Sequence, residues 1–205
     1  VFELTDVSYA WKDVSQVKDF STLVMRGDRI GLVGPNGVGK STLLKLLLGK
    51  LQPQSGNIRT GTKLEVAYFD QSRDVLEEDK SIADNVADGK DHVVVNGQSR
   101  HVIGYLGDFL FPPERARTPV KALSGGERNR VMLAKLFLKP CNLLVMDEPT
   151  NDLDIETLEL LEERLIDFDG TLLLVSHDRA FIDNVVTQLW VFDGSGHIDE
   201  HVGGY

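Results

Sequence analysis

Residues Gly34-Pro35-Asn36-Gly37-Val38-Gly39-Lys40-Ser41 fit the Walker A pattern G-x-x-x-x-G-K-[ST] in full, and side chains of these types at this spacing bind phosphate. The run sits between the apolar stretch Ile30 to Val33 and the helix-like stretch Thr42 to Leu48. A strand would deliver a glycine-rich turn whose backbone N–H groups face phosphate oxygens, and the following helix would add the positive end of its dipole. Lys40 would reach the β- and γ-phosphates as a point charge, while the Ser41 hydroxyl would take one position on Mg²⁺. Gly34 through Thr42 are therefore the expected phosphate contacts. The loop implies a nucleotide without saying which one, or for what purpose.

Leu143-Leu144-Val145-Met146-Asp147-Glu148 is a buried-strand run ending on an acidic pair, the Walker B pattern. Asp147 would orient Mg²⁺, directly or through water, and Glu148 would take a proton from the attacking water. An acidic helix start is the competing reading, since Pro149 follows and carboxylates favour helix N-termini. The complete phosphate loop upstream weighs against it. Ser124-Gly125-Gly126-Glu127 meets the capping-box pattern at the head of an apolar helix, which accounts for Ser124 and Glu127. It does not account for two consecutive glycines, which expose N–H groups at a helix N-terminus and point to a second anion site.

The elements that must hold these residues follow from periodicity. Phe2, Leu4, Val7, Tyr9 and Trp11, then Phe20, Leu23 and Val24, stand among polar residues in an antiparallel β manner. Asn57–Ile58 and Leu64–Phe69 read as short strands. A helix follows Leu123, with Val131, Leu133, Ala134, Leu136, Phe137 and Leu138 apolar, ending at Lys139-Pro140. Another is expected from about Ile155 to Phe168, and Thr171 to Val175 reads as a buried strand. Apolar strands alternating with helices predict a parallel sheet covered on both faces, with its ligand at the carboxyl ends where Gly34, Asp147 and His177 fall. From Ser72 to Ala122 charge, Gly and Pro increase, so residues 72–122 read as an inserted, partly helical subdomain, with 1–71 and 123–205 forming the core lobe. Within it, Asn96-Gly97 is either a tight hairpin turn or a plain surface loop.

A chain of 205 residues with 41% apolar content can bury one sizeable core. Lys and Arg total 22 against 32 Asp and Glu, a net charge of -10, so contact with a nucleic-acid backbone needs a local basic patch. One cysteine, Cys141, excludes an internal disulfide and suits a reducing cytosol, with packing its expected role. No apolar run approaches the length of a membrane span, and no signal peptide opens the chain. These features read as a soluble, cytoplasmic protein. The chain lacks an initiator Met and closes on Val202-Gly203-Gly204-Tyr205; both ends read as cuts in a longer polypeptide.

Leu123-Ser124-Gly125-Gly126-Glu127, lying between the phosphate loop and the acidic pair, resembles the signature motif of the ATP-binding cassette (ABC) family. Gln71 resembles that family's Q-loop glutamine, Asn151-Asp152-Leu153-Asp154 its D-loop, and His177 its switch histidine. The resemblance covers essentially the whole chain. It implies an α/β fold of the P-loop NTPase, ABC type: a mainly parallel central sheet flanked by helices, an N-terminal antiparallel β region and a small inserted helical subdomain. It implies ATP and Mg²⁺ as ligands, with Lys40, Glu148 and His177 catalytic and Ser41, Gln71 and Asp147 toward the metal. Gln71 would also contact the nucleotide. Trp11 resembles the adenine-stacking aromatic of other cassettes, with Tyr9 on the same strand face as the competitor.

Glu148-Pro149-Thr150-Asn151-Asp152-Leu153-Asp154 and Leu123 to Arg130 resemble the ABC-F class, which carries two cassettes in one polypeptide and no membrane domain. Within it, Gly61 to Gln71, His101 to Phe111 and the closing residues are similar to the second cassette of the bacterial Uup group. Asp152 departs from the His of most ABC-F members and agrees with that group. The resemblance implies head-to-tail closure on a second cassette, in the same polypeptide or as a homodimer. Ser124, Gly125, Gly126 and Glu127 would then act on the partner's nucleotide, with Asp152 and Asp154 at the D-loop. It also implies a cytosolic activity on ribosomes or branched DNA. The alternative is the ATPase subunit of a membrane transporter. Chromosome-structuring ATPases place long coiled coils between Walker A and the signature, and the gap here is too short.

Overall fold

The computed structural model describes residues 1–69, 76–151 and 153–203. Its elements in chain order begin with β1 (Phe2–Trp11), β2 (Val14–Val24), β3 (Arg29–Val33), α1 (Lys40–Leu47), β4 (Ser55–Thr60) and β5 (Val66–Phe69). Next come α2 (Ile82–Ala87), β6 (His92–Val95), β7 (Gln98–His101), α3 (Val102–Gly107) and α4 (Gly125–Leu136). The remainder is β8 (Leu143–Asp147), α5 (Ile155–Asp167), β9 (Thr171–Val175), α6 (Arg179–Val185), β10 (Gln188–Phe192) and β11 (Ile198–Val202). Two compact units result. One comprises residues 1–68, 141–150 and 166–205, the other 69–140 and 151–165.

The first unit contains the expected parallel sheet. Its strand order is β11-β10-β3-β9-β8-β5, with β10, β3, β9 and β8 mutually parallel and β11 antiparallel at the edge. Strands buried on both faces need continuous apolar sequence, and β9, Thr171-Leu-Leu-Leu-Val175, is buried at every position. The antiparallel region is a separate three-stranded sheet, β2-β1-β4. Phe2, Leu4 and Val7 of β1 and Val17, Phe20 and Val24 of β2 join one core with Leu43, Leu44, Leu46 and Leu47 of α1 and with Leu173 and Trp190. Phe20 meets Trp190 edge-to-face at 5.2 Å between ring centroids, a geometry favoured by the ring quadrupoles. Helix α1 is short, so its order derives from this buried face rather than from intrinsic propensity.

The second unit holds the inserted segment and more than the sequence boundary allowed. Helix α4, expected with the core lobe from residue 123, groups instead with residues 76–122. The physical reason is the company it keeps. The buried Tyr105 hydroxyl donates to the Ala134 carbonyl at 2.8 Å, Arg128 pairs with Glu78, and Arg115 with Glu127. Asn85, almost wholly buried, accepts from Glu77 N at 2.8 Å and donates to the Glu77, Lys80 and Ser81 carbonyls, tying the segment ahead of α2 together. The Asn96-Gly97 pair makes the hairpin rather than a loop. Val95 pairs with Gln98, and both turn residues have positive φ, 51° and 78°, which Asn and Gly tolerate in a two-residue turn.

Leu173 is fully buried at the centre of the parallel sheet. Leu173→Ala is expected to cost about 2–5 kcal/mol of unfolding free energy, measured by urea denaturation. A loss within about 0.5 kcal/mol, the range of surface changes, would contradict this packing.

Candidate nucleotide site

The carboxyl ends of β3, β8 and β9 meet at one edge of the first unit, and a cleft of about 240 Å³ opens there. Gln16, Asn36, Gly37, Gly39, Lys40, Ser41, Thr42, Asp147, Glu148 and Val175 line it. Open α/β sheets bind ligands at this edge because strand ends and helix N-termini converge there. The loop after β3 needs its glycines for two reasons. Gly34 has φ +148° and a Cβ on it would stand 2.6 Å from the Phe192 carbonyl oxygen; Gly39 has φ +110° and its Cβ would stand 2.5 Å from that of Gln16. Neither position admits a side chain without backbone movement.

Gly39 caps α1 with no side-chain hydrogen bond, so the helix presents bare N–H groups to the cleft. Lys40, the first helical residue, is only 6% exposed, and its Nζ donates to the Gly34 carbonyl at 2.5 Å. Burial pulls its ammonium below the ordinary lysine range, against the opposing attraction of Glu148 and Asp147. A buried cation beside a helix N-terminus favours an anion.

Glu148 turns sharply away from the strand that ends at Asp147. Its φ is +49°, a left-handed conformation rare outside glycine and costly by about 1–3 kcal/mol. Its N–H donates to the Val175 carbonyl at 2.8 Å, anchoring it to β9. The turn brings Oε1 to 3.1 Å from His177 Nε2, and that nitrogen also lies 2.9 Å from Asn36 Oδ1. Oε2 is buried with no hydrogen-bond partner among the described residues. Burial raises the Glu148 carboxyl above the usual range and the Asp147 charge adds to this, while His177 and Lys40 pull it back. Asp147 Oδ2 accepts from the Tyr68 hydroxyl at 3.4 Å.

These groups fit a nucleotide with Mg²⁺. Glu148, with a buried oxygen that has no partner among the described residues, and the buried Lys40 line a cleft at a helix N-terminus. Mg²⁺ is commonly held by one or two protein oxygens plus substrate phosphates, and the Ser41 hydroxyl and Asp147 carboxylate supply such donors.

Trp11, Tyr9, Pro35 and Val38 of the first unit are not among the residues that line this cleft. Trp11 is 60% exposed at the end of β1, and Tyr9 packs partly buried against the core. Val38 also packs against the core, and Pro35 is exposed on the loop. In the second unit Ser124 caps α4 and forms a full capping box with Glu127. A Cβ at Gly125 would meet open space, whereas one at Gly126 would come within 3.1 Å of Asp154 Oδ1. Gln71 and Asp152 lie outside the described residues. Two contacts escaped the sequence reading: Gln16 in the cleft, with no motif to mark it, and Tyr68 on Asp147, visible only as an aromatic near a strand end.

The Glu148 shift sets a sign for stability. A carboxyl whose folded pKa is raised favours folding while protonated, and that contribution is lost as pH rises through the raised value. Without nucleotide, Glu148→Gln should therefore melt at a higher temperature than the unaltered chain at neutral pH. The gap should close as pH falls below the carboxylate range. Thermal denaturation between pH 4 and pH 8 measures this, and a less stable variant at neutral pH would contradict it.

Compared with known proteins, residues 17–151 match the family described as ABC transporter. The whole chain is 65% identical to the ATP-binding protein Uup of Haemophilus influenzae and 65% identical to that of Escherichia coli, spanning 32% of each. It thus covers about a third of the length of these curated relatives. A solved ABC transporter in an inward-facing conformation aligns with a TM-score of 0.71 at 22% identity, over 98% of this chain and 82% of that one, which establishes the fold. With a match over most of its length and a phosphate loop built as described, the chain belongs to the ABC transporter family, as an ATP-binding cassette.

Proposed function

We propose that this chain is one cassette of a soluble, two-cassette ATPase of the ABC-F class, and that it hydrolyses ATP to ADP and phosphate. The observation that carries the chemistry is Glu148, turned by its left-handed backbone beside His177 and Lys40, with one carboxylate oxygen unpartnered among the described residues. Lys40 and the backbone N–H groups of residues 34–42, Pro35 excepted, hold the triphosphate. Trp11 stacks on the adenine. Glu148 takes the proton of the attacking water, and His177 holds the Glu148 carboxylate and senses the terminal phosphate. Ser41 and Asp147, with Gln71 by family resemblance, would hold Mg²⁺, which would supply charge neutralisation at the phosphates.

Two considerations support a shared site. Ser124, Gly125 and Gly126 stand at the head of α4, where the capping box accounts for Ser124 and Glu127 but not for the two glycines. The Uup relatives are about three times as long as this chain, which leaves room for a second cassette. In this reading the signature of one cassette, with its Glu127 cap and the D-loop Asp152 and Asp154, completes the nucleotide site of the other. ATP-driven closure would then switch a cytoplasmic activity on ribosomes or branched DNA, a target that rests on family resemblance. No helix among the described residues is long and apolar enough to cross a membrane. A transporter subunit is the competing reading, and co-purification with a membrane protein would favour it.

Glu148→Gln should leave ATP binding intact and lower turnover by about two orders of magnitude or more, as loss of a general base does; unchanged turnover removes Glu148 from that role. Turnover per chain should rise with protein concentration in a steady-state phosphate-release assay, and constancy would argue against a shared site. Ser124→Arg should impair hydrolysis while the same chain still binds ATP by calorimetry. Lost binding would contradict action on a partner's nucleotide.

A further inference from the structure

Among the described residues, Gln16 is the one lining the nucleotide cleft that lies outside the phosphate loop, its helix and the ends of β8 and β9. Its place follows from an irregularity in the β1–β2 ladder. Tyr9 pairs with Val17, but Ala10 pairs with Ser15, so one step on β1 spans two on β2. Gln16 is the extra residue of a β-bulge. Such bulges interrupt the alternation of a strand and re-aim a side chain, and they concentrate beside active sites. Here the bulged carbonyl also supports the last glycine of the loop, since a Cβ on Gly39 would lie 2.5 Å from Gln16 O.

The neighbours of Gln16 define which part of a nucleotide it faces. On one side are Gly39, Lys40, Ser41 and Thr42, assigned above to the phosphates. Along the other direction of the hairpin, Val14 pairs with Trp11, the exposed aromatic assigned to the adenine. Between triphosphate and base lies the sugar. The Gln16 side chain is half-buried, and no hydrogen-bond partner for its carboxamide is found among the described residues. A carboxamide both donates and accepts, matching a hydroxyl pair that does the same.

We infer that Gln16 is a specificity-determining residue that hydrogen-bonds the ribose hydroxyls of the bound nucleotide and so separates ribonucleotides from deoxyribonucleotides. This inference rests on the ATP-site reading and adds to it a contact with the sugar. A hydrogen bond at a half-exposed position contributes about fivefold in affinity, so the discrimination is modest.

Isothermal titration of the chain with ATP, 2′-deoxy-ATP and 3′-deoxy-ATP, each with Mg²⁺, tests it. The unaltered chain should bind ATP about fivefold more tightly than at least one deoxy analogue. Gln16→Leu should weaken ATP and bring all three within about twofold, the bond having been lost from one side only. If Gln16→Leu fails to fold, Gln16→Met, closer in length, makes the same comparison. An unaltered chain that binds all three nucleotides equally overturns the inference, as does a variant that keeps the original ratios or weakens all three alike. In each of those outcomes ATP still binds, so the nucleotide-site reading survives. Failure of the unaltered chain to bind ATP would overturn both.

Discussion

The buried ammonium of Lys40 is the constraint on which the rest of the site depends. A charge removed from water is costly unless paired, and here it is placed deliberately close to a second positive feature, the uncapped N-terminus of α1. The Gly34 carbonyl satisfies one of its protons, and Asp147 and Glu148 offset part of the charge from a distance. That arrangement leaves a cleft with one buried cation and a helix N-terminus beside two carboxylates, whose complement is a polyanion that carries its own cation. The acidic pair sits near enough to steady the ammonium and to meet the cation that a triphosphate brings.

Holding these groups together falls to the parallel sheet. Because β3, β8 and β9 run the same way, their ends arrive at one edge, although they come from distant parts of the chain. Backbone conformation then aims the side chains. Positive φ at Gly34 and Gly39 lets the loop pack against the Phe192 and Gln16 carbonyls, and positive φ at Glu148 turns its carboxylate out of line with Asp147 toward His177. Strain at Glu148 is tolerated because its N–H is fixed to the Val175 carbonyl, so the cost is met by the packing of β8 and β9.

Much of the site was legible before any coordinates. Phosphate-loop residues are contiguous, and contiguous chemistry is written in order along the chain; the same holds for the Asp147-Glu148 pair and for the capping box at Ser124, which forms as its spacing predicts. The Asn96-Gly97 turn was ambiguous because a turn signal cannot say whether its flanks pair, and Val95 with Gln98 answers that. The unit boundary was misplaced because a helix carries no mark of which neighbours it will bury against. Tyr105 reaching the Ala134 carbonyl puts α4 with the inserted segment. Gln16 was missed because a bulge is a mismatch between two strands, and neither strand alone contains it.

By itself the sequence determined the type of chemistry: a P-loop, an acidic strand end, a glycine-rich helix cap and the apolar runs of a parallel sheet. Each is a local matter of residue type and spacing, set by backbone sterics, helix capping and hydrophobic periodicity. The tertiary structure alone decided which distant groups meet. His177 between Asn36 and Glu148, Tyr68 on Asp147 and Gln16 beneath Gly39 are contacts across strands, and register, twist and bulges fix those distances, which no single stretch of chain encodes.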